Sequence, residues 1–431
     1  MEGTPRIIEL AAVISESVAK IQALYSSHNL PSPSFDVGGE DVPRLPREIQ
    51  AVQEVVLDAT SELQDLLMDP SELLYNYAAH NNLVSLQAIS RFDVARLVPK
   101  DGLVPFEEIA QHTGLGESMT RRLLRHAMTM RVFREPVPGM VAHTKTSKAL
   151  VDLPHLNGWC AAGADDMWSA ATKLVDAAQK WPNTQEVNES GFALANNMTS
   201  FYDAVYGNPK MGYRFSEAMK NSAASPEFHA DFVTNFYDWN AIGSGSGSVV
   251  DVGGSRGHIA MAIARRYPSL TFTVQDSAEV VDNAEVDVPE DLRGRIKFMP
   301  HDLFAPQQVQ ADVYYLRWVL HNWPDKHAIA VLRAQIPALR KGTRILINES
   351  CMPEPGSISA RQEKKHRSFD LTMAALFNGS ERTVDEWRSL LAQADKRFVL
   401  TKTIQPPSSA LAIMEVVWDG EDDQDSHQGS Q

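Results

Sequence analysis

Apolar residues recur along the first segment at Ile7, Ala11, Ile14, Val18, Ile21 and Tyr25, in alternating steps of four and three. That spacing lines one face of an amphipathic helix. A Pro-rich break at Pro31, Pro33, Pro43 and Pro46 interrupts it. Ile49, Val52, Val56, Ala59, Leu63 and Leu66 then repeat the pattern up to Pro70, where a helix must stop. Each seam is narrow and needs a partner surface, supplied either by packing within the chain or by helix exchange in a homodimer. Residues 104–148 read as helix (106–112), turn (114–116), helix (119–132) and a hairpin tip at 136–139. This is winged-helix patterning. It places Arg121, Arg122 and Arg125 on the second helix, where a DNA reader would carry them. The competing reading is a solvated helix face in a scaffold domain.

Residues 160–240 are helical and rich in aromatic and Met side chains, among them Met167, Trp168, Phe192, Phe201, Tyr202, Phe215, Met219, Phe232 and Phe236. Singly, such residues belong more often to a core than to a ligand site. A Gly/Ser stretch at 243–248 marks the entrance to a new domain. From there the pattern changes to short apolar runs at 249–252, 272–274, 313–316, 345–347, 399–401 and 412–417, alternating with helical stretches such as 259–266 and 326–339. Strand–helix alternation implies an α/β fold with a largely parallel sheet covered on both faces. Residues 419–431 are polar and acidic and read as a disordered tail.

Composition narrows the function classes. The chain has 431 residues, 43% hydrophobic and 22% charged, which suits two globular domains. Its formal net charge of −15 opposes approach to nucleic acid or an anionic membrane. Cys160 and Cys351 provide neither a disulfide framework nor a zinc site. The N-terminal residues lack a signal-peptide pattern, and no apolar run approaches the roughly 18 residues needed to span a bilayer. The expected location is cytoplasmic.

The run Val249-Val-Asp-Val-Gly-Gly-Ser-Arg-Gly257 carries an apolar strand into a Gly-rich turn and a helix. Glycines let backbone approach a ligand closely, and such turns bind nucleotides beyond the carboxyl ends of parallel strands. Alone, the turn could serve NAD, another nucleotide or a tight connection. Acids at the ends of successive strands sharpen it. Asp276 follows Asp251 by 25 residues, where a ribose diol is recognised, and Asp302 follows in His301-Asp-Leu-Phe304. The glycines at 253, 254 and 257 do not fit the GxGxxG of a pyrophosphate loop. An adenosine with an amino-acid tail and no phosphates fits better.

Asp-Val-Gly-Gly-x-x-Gly, Asp276, Asp302-Leu-Phe, Leu320-His-Asn-Trp-Pro-Asp325 and Gly379-Ser-Glu-Arg-Thr383 together resemble the plant and fungal caffeate-type O-methyltransferases, the fungal secondary-metabolite branch above all, over roughly residues 50–418. The resemblance implies a Rossmann-like catalytic domain with a mostly parallel seven-stranded sheet over 246–418. It also implies an N-terminal helical and winged-helix dimerisation domain over 1–155, and a helical linker over 156–245 that contributes to the acceptor pocket. S-adenosylmethionine is the implied cofactor, held by Gly253 and Gly254 at the methionine part, Asp276 at the ribose, and Asp302 and Leu303 at the adenine, with Asp251 also among the cofactor-binding residues. Arg317 stands where the family has a cofactor-touching Lys. The implied general base is His321, flanked by Glu349 and Glu381. Imidazole is a suitable proton acceptor near neutral pH, and carboxylates would fix its tautomer. Asn322 replaces the family's Asp. A structural histidine, and capping carboxylates at Glu349 and at Glu381 before a helix led by Thr383, are the plainer readings.

Met167, Phe201, Met373, Phe377 and Asn378 match acceptor-pocket positions, and a Met- and aromatic-lined cavity suits a flat phenol or polyketide. No metal is expected. The expected partners are a small-molecule acceptor and a second copy of the chain. The expected reaction is methyl transfer to a phenolic or enolic hydroxyl of a small secondary metabolite. The alternatives are a pericyclase that keeps the cofactor without transferring its methyl, and a non-catalytic winged-helix regulator.

Overall fold

The computed structural model describes residues 4–38, 45–243 and 246–420. Pro43 of the Pro-rich break and residues 421–431 of the acidic tail lie outside the described residues. The chain forms two compact units. The first gathers Met1–Thr172, Phe201–Ser222 and Pro355–Lys365, and the second Lys173–Ser200, Ala223–Glu354 and His366–Gln431. Residues 156–245 are thus divided between the two units.

In the first unit the two predicted seams form α1 (Arg6–Ser27) and α2 (Arg47–Leu67). They run antiparallel: Arg6 at the start of α1 pairs with Glu62 near the end of α2, and His28 after α1 pairs with Glu48 at the start of α2. On α2, Ile49 and Ala59 are buried as the spacing predicts. On α1 the covered face runs through Leu10, Ile14, Ile21 and Tyr25 and leaves Ile7 and Val18 at the surface. That half of the predicted seam has no partner within the described residues.

The winged helix follows, with β1 (Val104–Pro105), helices Phe106–Thr113 and Glu117–Thr129, β2 (Arg134–Val137) and β3 (Met140–Ala142). The strands order β1-β3-β2, all antiparallel. Gly114, at φ +71°, ends the first helix in the left-handed region and donates its N–H to the Ala110 carbonyl at 3.0 Å. Phe106, Ile109, Leu124, Phe133 and Val141 fill the core.

The second unit holds the seven-stranded sheet: β4 (Ser248–Val252), β5 (Thr271–Asp276), β6 (Ile296–Pro300), β7 (Val313–Arg317), β8 (Arg344–Asn348), β9 (Phe398–Ile404) and β10 (Ile413–Trp418). Their order is β6-β5-β4-β7-β8-β10-β9. The first five are parallel, and β10 joins β8 and β9 antiparallel. The mostly parallel sheet is as expected. The edge strand β6, whose Ile296 and Phe298 alternate with Lys297, adds a seventh strand to the six apolar runs.

Alternation decides the two layers. Val250, Val252, Ile345 and Ile347 face Val331 and Leu332 of helix Asp325–Gln335 and Trp387, Leu390 and Leu391 of helix Val384–Ala394. Val249, Phe272, Val274 and Leu346 face Ile259 and Ile263 of helix His258–Arg266. Burying each such aliphatic side chain stabilises by roughly 1.5–3 kcal/mol. Strand order reverses at β4, with β5 to one side and β7 to the other, so a crevice opens beyond their carboxyl ends.

Candidate active site

The turn after β4 brings backbone where a side chain could not go. Gly253 lies at φ +71°, and a Cβ there would meet Val319 Cγ2 at 2.9 Å. A Cβ on Gly254 would meet the Asp251 carboxylate at 2.5 Å. Asp251 is buried beneath the turn, and among the described residues nothing hydrogen-bonds to its carboxylate. Burial, with Asp276 nearby and Arg317 opposing, pushes its carboxyl up to about 7. Asp276, ending β5, accepts the N–H of Ser255 on Oδ2 and that of Ser277 on Oδ1, both at 2.8 Å. Burial raises its proton affinity against those two bonds. The N–H groups fix the carboxylate and leave each oxygen a further lone pair.

Buried polar atoms without partners lie at the same strand ends: Ser277 Oγ after β5, Arg317 Nε at the end of β7 and Trp318 Nε1 just after it. Such atoms leave hydrogen-bonding capacity that a polar ligand could use. A Gly cradle, two acids and unsatisfied donors fit the zwitterionic nucleoside that the sequence implied. Leu303 lies 3.9 Å from where a Gly253 Cβ would stand, and Asp302 takes the Phe304 N–H at 3.0 Å in an exposed turn. The Arg317 guanidinium is already engaged, by Asn348 Oδ1 at 2.6 Å and the Phe228 carbonyl.

His321 sits on a short 3-10 turn after β7, buried. Its Nδ1 lies 2.6 Å from Glu381 Oε1 and 3.8 Å from Glu349 Oε2. The two carboxylates are therefore unequal. Glu381 accepts a hydrogen bond from the ring N–H at Nδ1, while Oε1 of Glu349 accepts the N–H groups of Val319 and Leu320 at 2.8 and 2.9 Å and so anchors the turn itself. Burial disfavours the charged ring, but Glu349 and Glu381 outweigh it and hold the imidazole above its ordinary proton affinity. Burial also raises the Glu349 carboxyl. The Phe369 ring packs 5.9 Å from the imidazole. Asn322 donates to the Trp318 carbonyl at 2.9 Å, retaining a hydrogen-bonding role. Helix capping falls to Thr383 and Glu386, which form the capping box, so Glu381 is not the cap.

Met167 and Phe201 lie in the first unit, Met167 ending a π-helical turn (Ala162–Met167) and Phe201 packed edge-on to Phe215 at 5.5 Å. Met373 and Phe377 are buried in the second unit, four residues apart on helix Ala360–Phe377. The Asn378 amide donates to the carbonyls of Thr184 and Glu186, both at 3.2 Å.

Sequence reasoning gave no role to several residues the site uses. Asp370 accepts the Glu381 N–H at 2.8 Å. Gly379 is required by close approach, since a Cβ would stand 2.2 Å from the His321 carbonyl. Trp318 adopts φ +55°, rare for an aromatic residue. The buried amides of Gln275, Gln307 and Gln335 bond in a chain behind Asp276. The Ser-Glu-Arg run displayed Gly379 and Arg382, but nothing in spacing distinguishes a contact-limited glycine from a turn.

Residues 176–396 match the model of the O-methyltransferase domain. O-methyltransferase PaMT of Phomopsis amygdali is 40% identical over 97% of this chain and 97% of its own. The grayanic acid biosynthesis cluster O-methyltransferase of Cladonia grayi is 35% identical, over 96% and 88%. The chlorophenol O-methyltransferase of Trichoderma longibrachiatum is 32% identical, over 96% and 90%. Two solved structures share the fold: LepI in complex with SAM (TM-score 0.72, 21% identity, 95% of this chain and 100% of that one) and a pericyclic reaction enzyme (0.72, 22%, 96% and 100%). Identity sustained across nearly the whole chain shows that it belongs to the O-methyltransferase family and is an S-adenosylmethionine-dependent O-methyltransferase.

Proposed function

We propose that the chain methylates a phenolic or enolic hydroxyl of a small aromatic or polyketide-type secondary metabolite, with His321 as general base. The observation that carries this reading is the 2.6 Å contact between Nδ1 and Glu381. A proton held on Nδ1 leaves the Nε2 lone pair as the acceptor, and among the described residues Nε2 has no hydrogen-bond partner. Nε2 takes the hydroxyl proton as the oxygen–methyl bond forms, and Glu381 and Glu349 stabilise the imidazolium. The bound cofactor supplies a methyl on a sulfonium, whose sulfur keeps the electron pair of the broken bond. Gly253, Gly254, Asp251 and Asp276 would hold it, with Asp302 and Leu303 beside the adenine and Arg317 nearby. Met373, Phe377 and Asn378 of the second unit are the proposed acceptor contacts, Asn378 through the oxygen that its two donated bonds leave free. A relative described as acting on chlorophenol supports a phenolic acceptor.

The rearrangement alternative would keep the cofactor whole. Likeness to a pericyclic enzyme at 22% identity concerns the fold alone, and an intact His–Glu–Glu set supports transfer. The deciding measurement is S-adenosylhomocysteine formed per product molecule with the acceptor. A ratio near one is expected; product without it would overturn the reading. We also propose a homodimer built on α1, α2 and the helix Pro70–Tyr77. Ile7 and Val18, with Leu66, Leu67, Leu74 and Tyr75, present exposed apolar surface that a second copy would cover.

A further inference from the structure

Arg382 stands where the three segments bearing His321, Glu349 and Glu381 meet. Its backbone pairs with the chain leaving β8 past Glu349: a parallel bridge joins it to Cys351, and its carbonyl accepts the Met352 N–H at 2.9 Å. Its buried side chain reaches the turn that carries His321. Nη1 donates to the carbonyls of Leu320 at 3.2 Å and Ser380 at 3.3 Å, and Nη2 to that of Trp323 at 2.9 Å. Nε and Nη2 both donate to Asp325 Oδ1, at 2.9 and 2.7 Å. Those are five bonds for the five donors of a guanidinium. The group also lies over the Trp387 ring, 5.2 Å from its centroid. Leu320 and Trp323 bracket His321, and Ser380 precedes Glu381, so one rigid fork spans both partners of the 2.6 Å contact.

Burying a cation whose counterion, Asp325, is half exposed is costly. Packing alone would be served as well by an apolar side chain. What an apolar residue cannot do is tie three carbonyls and place a fixed positive charge near the imidazole.

We propose that Arg382 is a positioning residue for methyl transfer, fixing the His321 turn against the Glu381 segment and supplying the positive charge that balances the two glutamates. This rests on the reading of His321 as the base. The groups facing His321 are Glu349 from the end of β8, Glu381 and Arg382 from the segment before helix Val384–Ala394, and Phe369 from helix Ala360–Phe377. Asp370 on that helix acts through the Glu381 N–H. Among the described residues, Arg382 is the charge that opposes protonation of the ring, and the glutamates favour it.

The test uses the full chain carrying ¹³C-labelled histidine, with His321 assigned by the signal lost in His321→Ala. Arg382→Gln removes the charge, so the His321 titration midpoint should rise by roughly half a unit or more. Arg382→Lys keeps the charge without the fork. Its midpoint should hold while the downfield Nδ1 proton shared with Glu381 is lost and kcat, on whichever phenol the wild type methylates, falls about 10²-fold at unchanged cofactor KM. A folded Arg382→Gln with an unmoved midpoint and the downfield proton retained would overturn the proposal. If Arg382→Gln does not fold, retention of that proton and wild-type kcat in Arg382→Lys would overturn it equally. Undiminished kcat in His321→Ala would instead defeat the general-base reading, whatever the Arg382 variants show.

Discussion

At the scale of single residues, the proposed mechanism rests on one nitrogen and one carboxylate. His321→Ala should lower kcat by about 10²–10⁴-fold, the usual worth of a general base, and leave cofactor affinity nearly intact by calorimetry. The pH dependence follows from the glutamates. A base held above its ordinary proton affinity is neutral only at higher pH, so the acid limb of kcat/KM should lie above the imidazole's usual 6.5. Activity should fall as pH drops through that limb, and a limb below 6.5 would contradict the geometry. Glu381→Ala frees the Nδ1 proton and should harm kcat more than Glu349→Gln, which retains an oxygen for the Val319 and Leu320 N–H groups. At the cofactor, Asp276→Ala removes a charged acceptor already oriented by two backbone N–H groups. Hydrogen bonds to charged groups contribute about 1.5–3 kcal/mol, so S-adenosylmethionine should bind about tenfold or more weakly; unchanged calorimetric affinity would refute the ribose assignment.

Elements bring those residues together through backbone contacts finer than a hydrophobic pattern. Gly379→Ala would drive a methyl into the His321 carbonyl 2.2 Å away. The turn must shift, and a displacement near 1 Å can cost about 10²-fold in rate. Expected, then, is a folded protein with a lowered melting temperature by circular dichroism, as overpacking against backbone costs about 1–3 kcal/mol, and a severely reduced kcat. The strand–helix alternation, the Gly turn and the acids at the strand ends were legible in sequence because burial and close approach restrict composition at fixed spacing. The β6 edge strand is not legible as an apolar run because Lys297 interrupts it, half its surface being open to water. The unequal duties of Glu349 and Glu381 were not legible either. Both are acids at expected positions, and only coordinates reveal that one serves the ring and the other the turn. On α1 the 3-4 pattern gave the helix, but period alone cannot separate a face covered by α2 from one awaiting a partner.

For the whole molecule, charge and unpartnered surface make the testable statements. Leu67, Leu74 and Tyr75 are 68%, 71% and 80% exposed, an arrangement a monomer seldom leaves bare. Light scattering should report a dimer at micromolar concentration, and a monomer would refute the proposed interface. The second helix of the winged helix carries cations, yet Arg125 is held by both oxygens of Glu135 and Arg121 by Glu117, with both guanidinium groups over the Phe106 ring. With a chain charge of −15, duplex DNA should not retard in a gel shift at 150 mM salt. No helix among the described residues is long and apolar enough to cross a membrane.

The first unit is assembled from three stretches of chain, the last being Pro355–Lys365. Within it Arg361 reaches Glu54 and Asp58 of α2, and Gln362 donates to Asp58 at 2.7 Å. During vectorial synthesis α2 therefore waits about three hundred residues for these polar partners, until most of the sheet of the second unit has left the ribosome. The first unit is complete only once Pro355–Lys365 has been made, and the second only once β9 and β10 have. Linear dissection at residue 245 should accordingly yield two insoluble fragments, whereas co-expressing both halves should recover soluble protein.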